Sequence, residues 1–424
     1  MRGMIRAVAV LFLLISTSAF AEAKYAEIGR VSGVGSSTTL IALAAKPGVG
    51  RLSTYTTVLT RQGSGVSTSA SVSKWLDGSL EYQKTISPGV PRSHCGLDPV
   101  GMEQVGEGFD EVTYVVGMSI ASCSGLGTGS RDEVFLAKLD WKGDLVWIRF
   151  IASLEGCEGF LCPSPKIVPT GIVTVGGPGG NVIITGYTNT PVGRPTNVGK
   201  EDVFVANATS AGTWAWIKQI GSLKSDRPVG VAVAPDENGK LAVFVAGRTD
   251  GSFYYNYPSD VPSFILRYNL VSGVLEKVHQ DDLSFPGEIV AFSGRPLESW
   301  SQGLSIVWKT GSGHTLELVD TTDPWVTNFS DRQVWQSNLS RAAVGPIKLV
   351  DAGTAFYVVY STVLGGWGVI DRFDTTGHLN WSDSLPVDAG TPASSKVIRD
   401  PYNLHVAYLG TRGYYGSIGR IVTP

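Results

Sequence analysis

Charge is scarce in this 424-residue sequence: 17% of residues are Asp, Glu, Lys or Arg, against about 25% in an average soluble domain. Neither sign dominates, with 34 Lys plus Arg facing 37 Asp plus Glu and a formal net charge of -3. No dense basic run exists, so the electrostatic footprint of a general nucleic-acid binder is missing. Histidine is also sparse. The five copies (His94, His279, His314, His378, His405) are scattered without metal-ligand spacing. There are four cysteines and no CxxC pair, which argues against a zinc-ribbon site. No apolar run approaches the roughly 20 residues that span a bilayer as a helix. The P-loop lysine motif, the G-x-S-x-G elbow, H-E-x-x-H and the EF-hand loop are all absent, so no cofactor or metal is expected. What is abundant is glycine, at 52 residues, within a chain that is 43% hydrophobic. Glycine costs a helix interior about 1 kcal/mol per residue, and here it lacks the three-residue period of collagen. The apolar content and small net charge also argue against disorder. A large, turn-rich all-β protein is what these exclusions leave.

Residues 1–21 read as a secretory signal peptide: Arg2 and Arg6, then the apolar stretch Ala7–Ile15, then Ala19-Phe20-Ala21 as a cleavage site. The expected mature chain is secreted, with residues 22–424 forming a single domain. In an oxidising compartment Cys95, Cys123, Cys157 and Cys162 suggest disulfides. Separation favours Cys157–Cys162 and Cys95–Cys123, but four cysteines allow three pairings and sequence does not choose. Asn207, Asn328, Asn338 and Asn380 each head an N-glycosylation sequon, to be used if the host glycosylates.

The strongest signal is self-similarity. An apolar strand, a short turn and a strand with an aromatic residue make up Glu133–Ile151 and again Asp202–Ile220. The outline recurs at Ala70–Ile86, Ser263–His279 and Gly368–Leu385, in degenerate form within His314–Leu339, and in part at Gly416–Pro424. Upstream of the hairpin lies a second strand pair, seen at Thr170–Thr188, Pro228–Arg248 and Gly345–Thr362. Gly and Asn in the turns supply the positive φ of tight hairpins, and alternating Val, Ile, Phe, Trp and Tyr supply buried faces. Seven copies of a four-strand unit, spaced at roughly 45–70 residues, fit a β-propeller. The last copy lacks a fourth strand, and the segment Tyr25–Ser32 is left over. The fold expected is therefore a seven-bladed β-propeller of four-stranded antiparallel blades, closed by the N-terminal strand, which removes an exposed sheet edge.

The phrases Asp132–Trp147 (DEVFLAKLDWKGDLVW) and Gly180–Thr188 (GNVIITGYT) resemble the seven-bladed β-propeller repeat family known as SBBP repeats. The resemblance is strongest over the second to fourth copies. It implies a propeller in an exported or surface protein and no particular reaction.

On such a fold, the loop between the second and third strands and the crossover to the next blade share one face. The insertions Ala121–Asp132, Asn189–Glu201 and Asp250–Pro262 emerge there, as do all four cysteines. Phe253, Tyr254, Tyr255 and Tyr257, with Asp260, make the third insertion a candidate binding loop; the competing reading is that these rings pack down to order the loop. Tyr82, Trp147, Trp216 and Trp381 recur at one repeat position and are expected to pack between blades. Asp236-Glu237-Asn238-Gly239 reads as a hairpin turn rather than a calcium site. The expectation is a secreted, non-catalytic, monomeric propeller that binds a protein or carbohydrate partner and touches neither nucleic acid nor membrane. One alternative is an extracellular polysaccharide-acting hydrolase or lyase with Glu103, Glu288 and Asp351 at the channel mouth. Another is a structural protein of a cell envelope or matrix.

Overall fold

The computed structural model describes residues 24–31, 38–47, 54–64, 67–76, 79–87, 96–120, 133–152, 166–192, 199–253, 262–280, 287–294, 303–311, 313–322, 333–351, 355–362, 368–384, 391–399, 404–412 and 415–422. Strand β1 covers Lys24–Val31. The first blade is β2–β5 (Thr38–Pro47, Thr54–Gln62, Ser69–Leu76, Ser79–Thr85), and the second is β6–β9 (Gly96–Val105, Val112–Ile120, Glu133–Leu139, Leu145–Ile151). The third is β10–β13 (Ile167–Val175, Asn181–Thr188, Asp202–Ala208, Trp214–Ile220), and the fourth is β14–β17 (Asp226–Pro235, Leu241–Thr249, Ser263–Asn269, Leu275–His279). The fifth is β18–β21 (Glu288–Gly294, Gly303–Thr310, Gly313–Asp320, Gln333–Asn338), and the sixth is β22–β25 (Ala343–Asp351, Ala355–Thr362, Gly368–Asp374, Leu379–Ser384). Each blade is an antiparallel meander of consecutive strands. The chain is thus an all-β propeller of four-stranded antiparallel blades. The remaining strands, β26–β28 (Thr391–Arg399, Leu404–Arg412, Tyr415–Val422), form a further four-stranded sheet with β1. Among the described residues no helix is long and apolar enough to cross a membrane.

The core lies between blades. One apolar cluster joins Leu59 and Val72 of the first blade to Val115 and Phe135 of the second. The same arrangement is repeated between the second and third blades, the third and fourth, the fourth and fifth, and the fifth and sixth. The middle strands are therefore covered on both faces: every residue of β12 is buried, and so are all but one of β23. This explains their near-continuous apolar sequences, each fully buried Val, Ile or Phe contributing about 1.5–3 kcal/mol. The outermost strand β5 is almost wholly exposed.

The inner strands share a feature that composition did not reveal. In β6, β10 and β14 a bulge falls between Pro99 and Gly101, Pro169 and Gly171, and Pro228 and Gly230. Such bulges bend a strand and re-aim its ladder. The glycine that follows lets the neighbouring blade approach: a Cβ on Gly101 would stand 3.2 Å from Ile172, and one on Gly171 would stand 3.2 Å from Val231.

At the opposite edge a second device repeats. Tyr82, Trp147, Trp216, Trp335 and Trp381 occupy one register position on the outer strands. The Trp147 indole donates to Ser210 O in the third blade at 3.1 Å, Trp216 donates to Leu270 O in the fourth at 3.0 Å, and Trp335 donates to Thr375 O in the sixth at 2.8 Å. Each ring lies against a positive-φ glycine of that same turn, Gly212 (φ 82°), Gly273 (φ 66°) and Gly377 (φ 83°). Tyr82 sits likewise against Gly143 (φ 76°). A third-strand side chain joins the same carbonyls, with Lys138 donating to Ser210 O and Asn207 to Leu270 O, both at 3.1 Å. The expected inter-blade role is what the geometry shows for Tyr82, Trp147 and Trp216, while Trp381 meets the Tyr357 ring within its own blade. Trp335 completes the set, and the fourth blade holds Lys277 at that position.

Candidate functional site

First strands begin, second strands end and third strands begin at one end of the blades, here termed the upper face. The insertions after Asn189 and Asp250 leave from it. Two glutamines pin the bases of these insertions. Gln219 Oε1 accepts Val192 N at 2.6 Å while its amide donates to Asp202 Oδ2 at 3.0 Å. Gln280 Oε1 accepts Phe253 N at 3.0 Å and its amide donates to Gly251 O at 2.8 Å. Beneath the second insertion, Asp226 is fully buried and accepts from Ser222 N, Ser222 Oγ and Thr249 Oγ1. Burial pushes its carboxyl up to about 6, because the charged form is denied water.

Charged side chains collect on the rim above this floor. In the second and fourth blades the residue just before the inner-strand proline faces the second strand of the preceding blade. Asp98 meets Arg61 at 3.2 Å. Arg227 lies over the Tyr187 ring, 5.4 Å from its centroid, and Lys166 lies at 5.0 Å from that centroid. Glu201 accepts from Arg227 Nε at 2.5 Å, with Lys166 Nζ at 3.8 Å, and this hydrogen bond raises the Arg227 pKa further. Glu288 meets Lys309 at 3.9 Å within the fifth blade. Between the fourth and fifth blades the rim opens into a cavity of 210 Å³, whose walls include Ser225, Arg227, Arg248, Asp250, Pro262 and Glu288. Among the described residues no group of three or more His, Cys, Asp or Glu is placed to hold a metal.

The residues singled out from sequence divide as follows. Phe253 turns inward, its ring 5.0 Å from Phe264 within the core between the third and fourth blades. Tyr254, Tyr255, Tyr257 and Asp260 lie outside the described residues, as do Cys95, Cys123, Cys157, Cys162 and Asn328. Asn207 is corrected as a glycan acceptor: it is 1% exposed and its amide nitrogen is committed to Leu270 O. Asn338 and Asn380 are exposed. The suggested carboxylate set does not assemble. Glu288 opens its inner strand on the upper face, whereas Glu103 and Asp351 stand near the far ends of theirs. Asp236 closes a hairpin turn, its Oδ1 accepting Asn238 N and Lys240 N at 2.8 Å each.

Sequence reasoning did not find Gln219, Gln280, Asp226, Arg227 or Arg248. A glutamine at the end of the outer strand in both insertion-bearing blades was the available signal for the first two.

A scan with protein-family profiles finds no match, and neither does a search of curated sequences. Among solved structures, the chain is similar to BBS1N crystallised with ARL6DN, at 11% identity and a TM-score of 0.49, covering 94% of this chain and 97% of that one. It is similar to the WD40 domain of SCAP from fission yeast at 9% identity and a TM-score of 0.42, covering 95% and 98%. The subtype N10 neuraminidase-like protein of A/little yellow-shouldered bat/Guatemala/060/2010 gives 10% identity and a TM-score of 0.41, covering 95% and 98%.

Proposed function

We propose that this chain is an exported, non-catalytic propeller of the SBBP-repeat type that presents its upper face to a protein or carbohydrate partner. One observation carries the reading. On the upper face, charged and aromatic side chains stand in fixed, solvent-facing pairs beside insertions hydrogen-bonded at their bases, and this is how rigid scaffolds display recognition loops. Glu288 stands at the opposite end of its inner strand from Glu103 and Asp351, so it does not pair with either at the roughly 5–9.5 Å a glycosidase needs. Export rests on the leader-like residues 1–21.

The reading also takes the chain as a seven-bladed ring closed by its N-terminal strand. In support, β1 pairs with β28 from Lys24↔Val422 to Val31↔Gly416, giving the order β1-β28-β27-β26. Strand β26 has its own register shift, between Pro392 and Ser394, and packs against both β2 and β22. Deleting residues 24–31 is expected to lower stability throughout the chain. Unchanged denaturation would count against closure.

The binding role is tested on a glycan array together with immobilised candidate proteins, using labelled wild type, Lys166→Glu/Tyr187→Ala on the upper face and Phe109→Ser on the lower. Signal lost with the first variant and kept with the second supports the role. The reverse pattern, or release of glycan fragments on incubation, overturns it.

A further inference from the structure

At one repeat position the seam between the fourth and fifth blades differs from two others. Between the first two blades, Arg61 and Asp98 close the rim by an ion pair, and between the third and fourth Tyr187 and Arg227 close it by stacking. The equivalents at the next seam are Arg248 and Glu288. No hydrogen bond or ion pair joins them among the described residues, and both line the cavity instead. A second irregularity coincides with the first. Arg227 and Arg248 are directly paired across β14 and β15, where the third blade pairs Val168 with Tyr187 and the fifth pairs Glu288 with Lys309. Glu201 and the nearby Asp250 favour the charged form of Arg227, so of the two it is Arg248 that stands at the cavity wall without an ion-pair partner among the described residues.

We propose that this cavity binds one hexuronate unit of an acidic polysaccharide, its carboxylate held by Arg227 and Arg248 and its hydroxyls by Asp250 and Glu288. The proposal rests on the binding role argued above and names its ligand. Guanidinium groups match a carboxylate in shape and charge, and an anion at this wall gives Arg248 a partner. Arg227 is already oriented, because its Nε is held by Glu201. Arg248 is exposed and has no ion-pair partner among the described residues. The other wall offers acceptors. The side-chain oxygens of Asp250 and Glu288 accept hydrogen bonds and suit sugar hydroxyls, and Lys309 beside Glu288 offsets the charge that would otherwise favour an ammonium group. The 210 Å³ volume lies below the roughly 300–1,000 Å³ of drug-sized pockets and suits a single ring.

The test is titration calorimetry of the full mature chain with oligogalacturonate, monomeric galacturonate and neutral oligogalactan. Expected results are saturable, salt-sensitive binding of both uronates, at least tenfold weaker binding of the neutral oligomer, and at least a tenfold loss with Arg248→Gln. Because Arg248 is exposed and has no ion-pair partner among the described residues, that variant should unfold like wild type. Asp250→Asn gives a second readout, with a several-fold loss expected for uronates. Binding of the oligomer but not the monomer would mean the chain, rather than this cavity, is recognised, and would overturn the proposal. So would no binding by wild type, equal binding of the neutral oligomer, an unaffected Arg248→Gln, or equal competition by glycine or inorganic phosphate. If Lys166→Glu/Tyr187→Ala abolishes array binding while Arg248→Gln leaves all uronate titrations unchanged, the binding role stands and the uronate site falls.

Discussion

Replacing Gly212 by Ala tests the interlock between blades directly. Gly212 has φ 82°, and left-handed backbone costs an L-residue about 1–2 kcal/mol, partly offset by about 0.4–1 kcal/mol from a stiffer unfolded chain. The added methyl would also stand 2.8 Å from the Trp147 ring, too close for real atoms, so the indole must move. Its N–H then leaves Ser210 O, at 3.1 Å, and a half-buried donor left unmatched costs about 1–3 kcal/mol. The carbonyl itself keeps Lys138. The sum is about 1–5 kcal/mol, centred near 3. Gly239 is the control: it has φ 70° in a hairpin turn, and a Cβ there meets nothing within 4 Å. Gly239→Ala should therefore show only the backbone cost of about 1 kcal/mol. Urea denaturation of both variants, repeated in a Trp147→Leu background, separates the terms. The Gly212→Ala penalty should shrink toward that of Gly239→Ala once the indole is gone. Equal costs at the two glycines, or no coupling to Trp147, would refute the interlock.

Three further outcomes follow from buried polar groups. Asp226 titrates near 6 in the fold, above its unfolded value of about 3.9. The folded state thus binds the extra proton, and stability should fall as pH rises from about 4 to 6, by roughly 3 kcal/mol in all. Asp226→Asn should flatten that part of the denaturation profile, and an unchanged slope would show that burial is not costing the carboxylate. The Lys74–Glu111 pair, at 3.0 Å with both side chains buried, predicts a loss of about 3–5 kcal/mol for Lys74→Met, largely recovered in Lys74→Met/Glu111→Leu. Gln280→Ala removes the ties to Gly251 and Phe253, so limited proteolysis should cut between residues 250 and 262 sooner while the core strands resist.

The hairpins were legible because their determinants are local: glycine at turn positions and alternating apolar residues on strands. Trp147 and Trp216 could be matched by register alone. Trp335 escaped because its copy has diverged around it. The Pro-x-Gly bulges were written three times in the chain, yet a bulge alters register without altering composition. Asn207 shows the opposite failure. Its sequon is a three-residue pattern, but its fate is decided by Leu270 in the next blade, 63 residues away. The rim was hidden for the same reason. Glu201, Arg227 and Tyr187 converge only once two blades are side by side, and the separation of Glu288 from Glu103 depends on which end of its strand each acid occupies.

The ring-on-glycine contact bears on how such a protein changes its copy number. The second and third blades carry both halves of the contact, an aromatic ring for the blade that follows and a glycine turn for the one that precedes. A duplicated unit of this kind would meet compatible surfaces on either side when it landed beside them, without compensating change in its neighbours. It could not be inserted backwards. The joint therefore sets the order and polarity of the units but not their number.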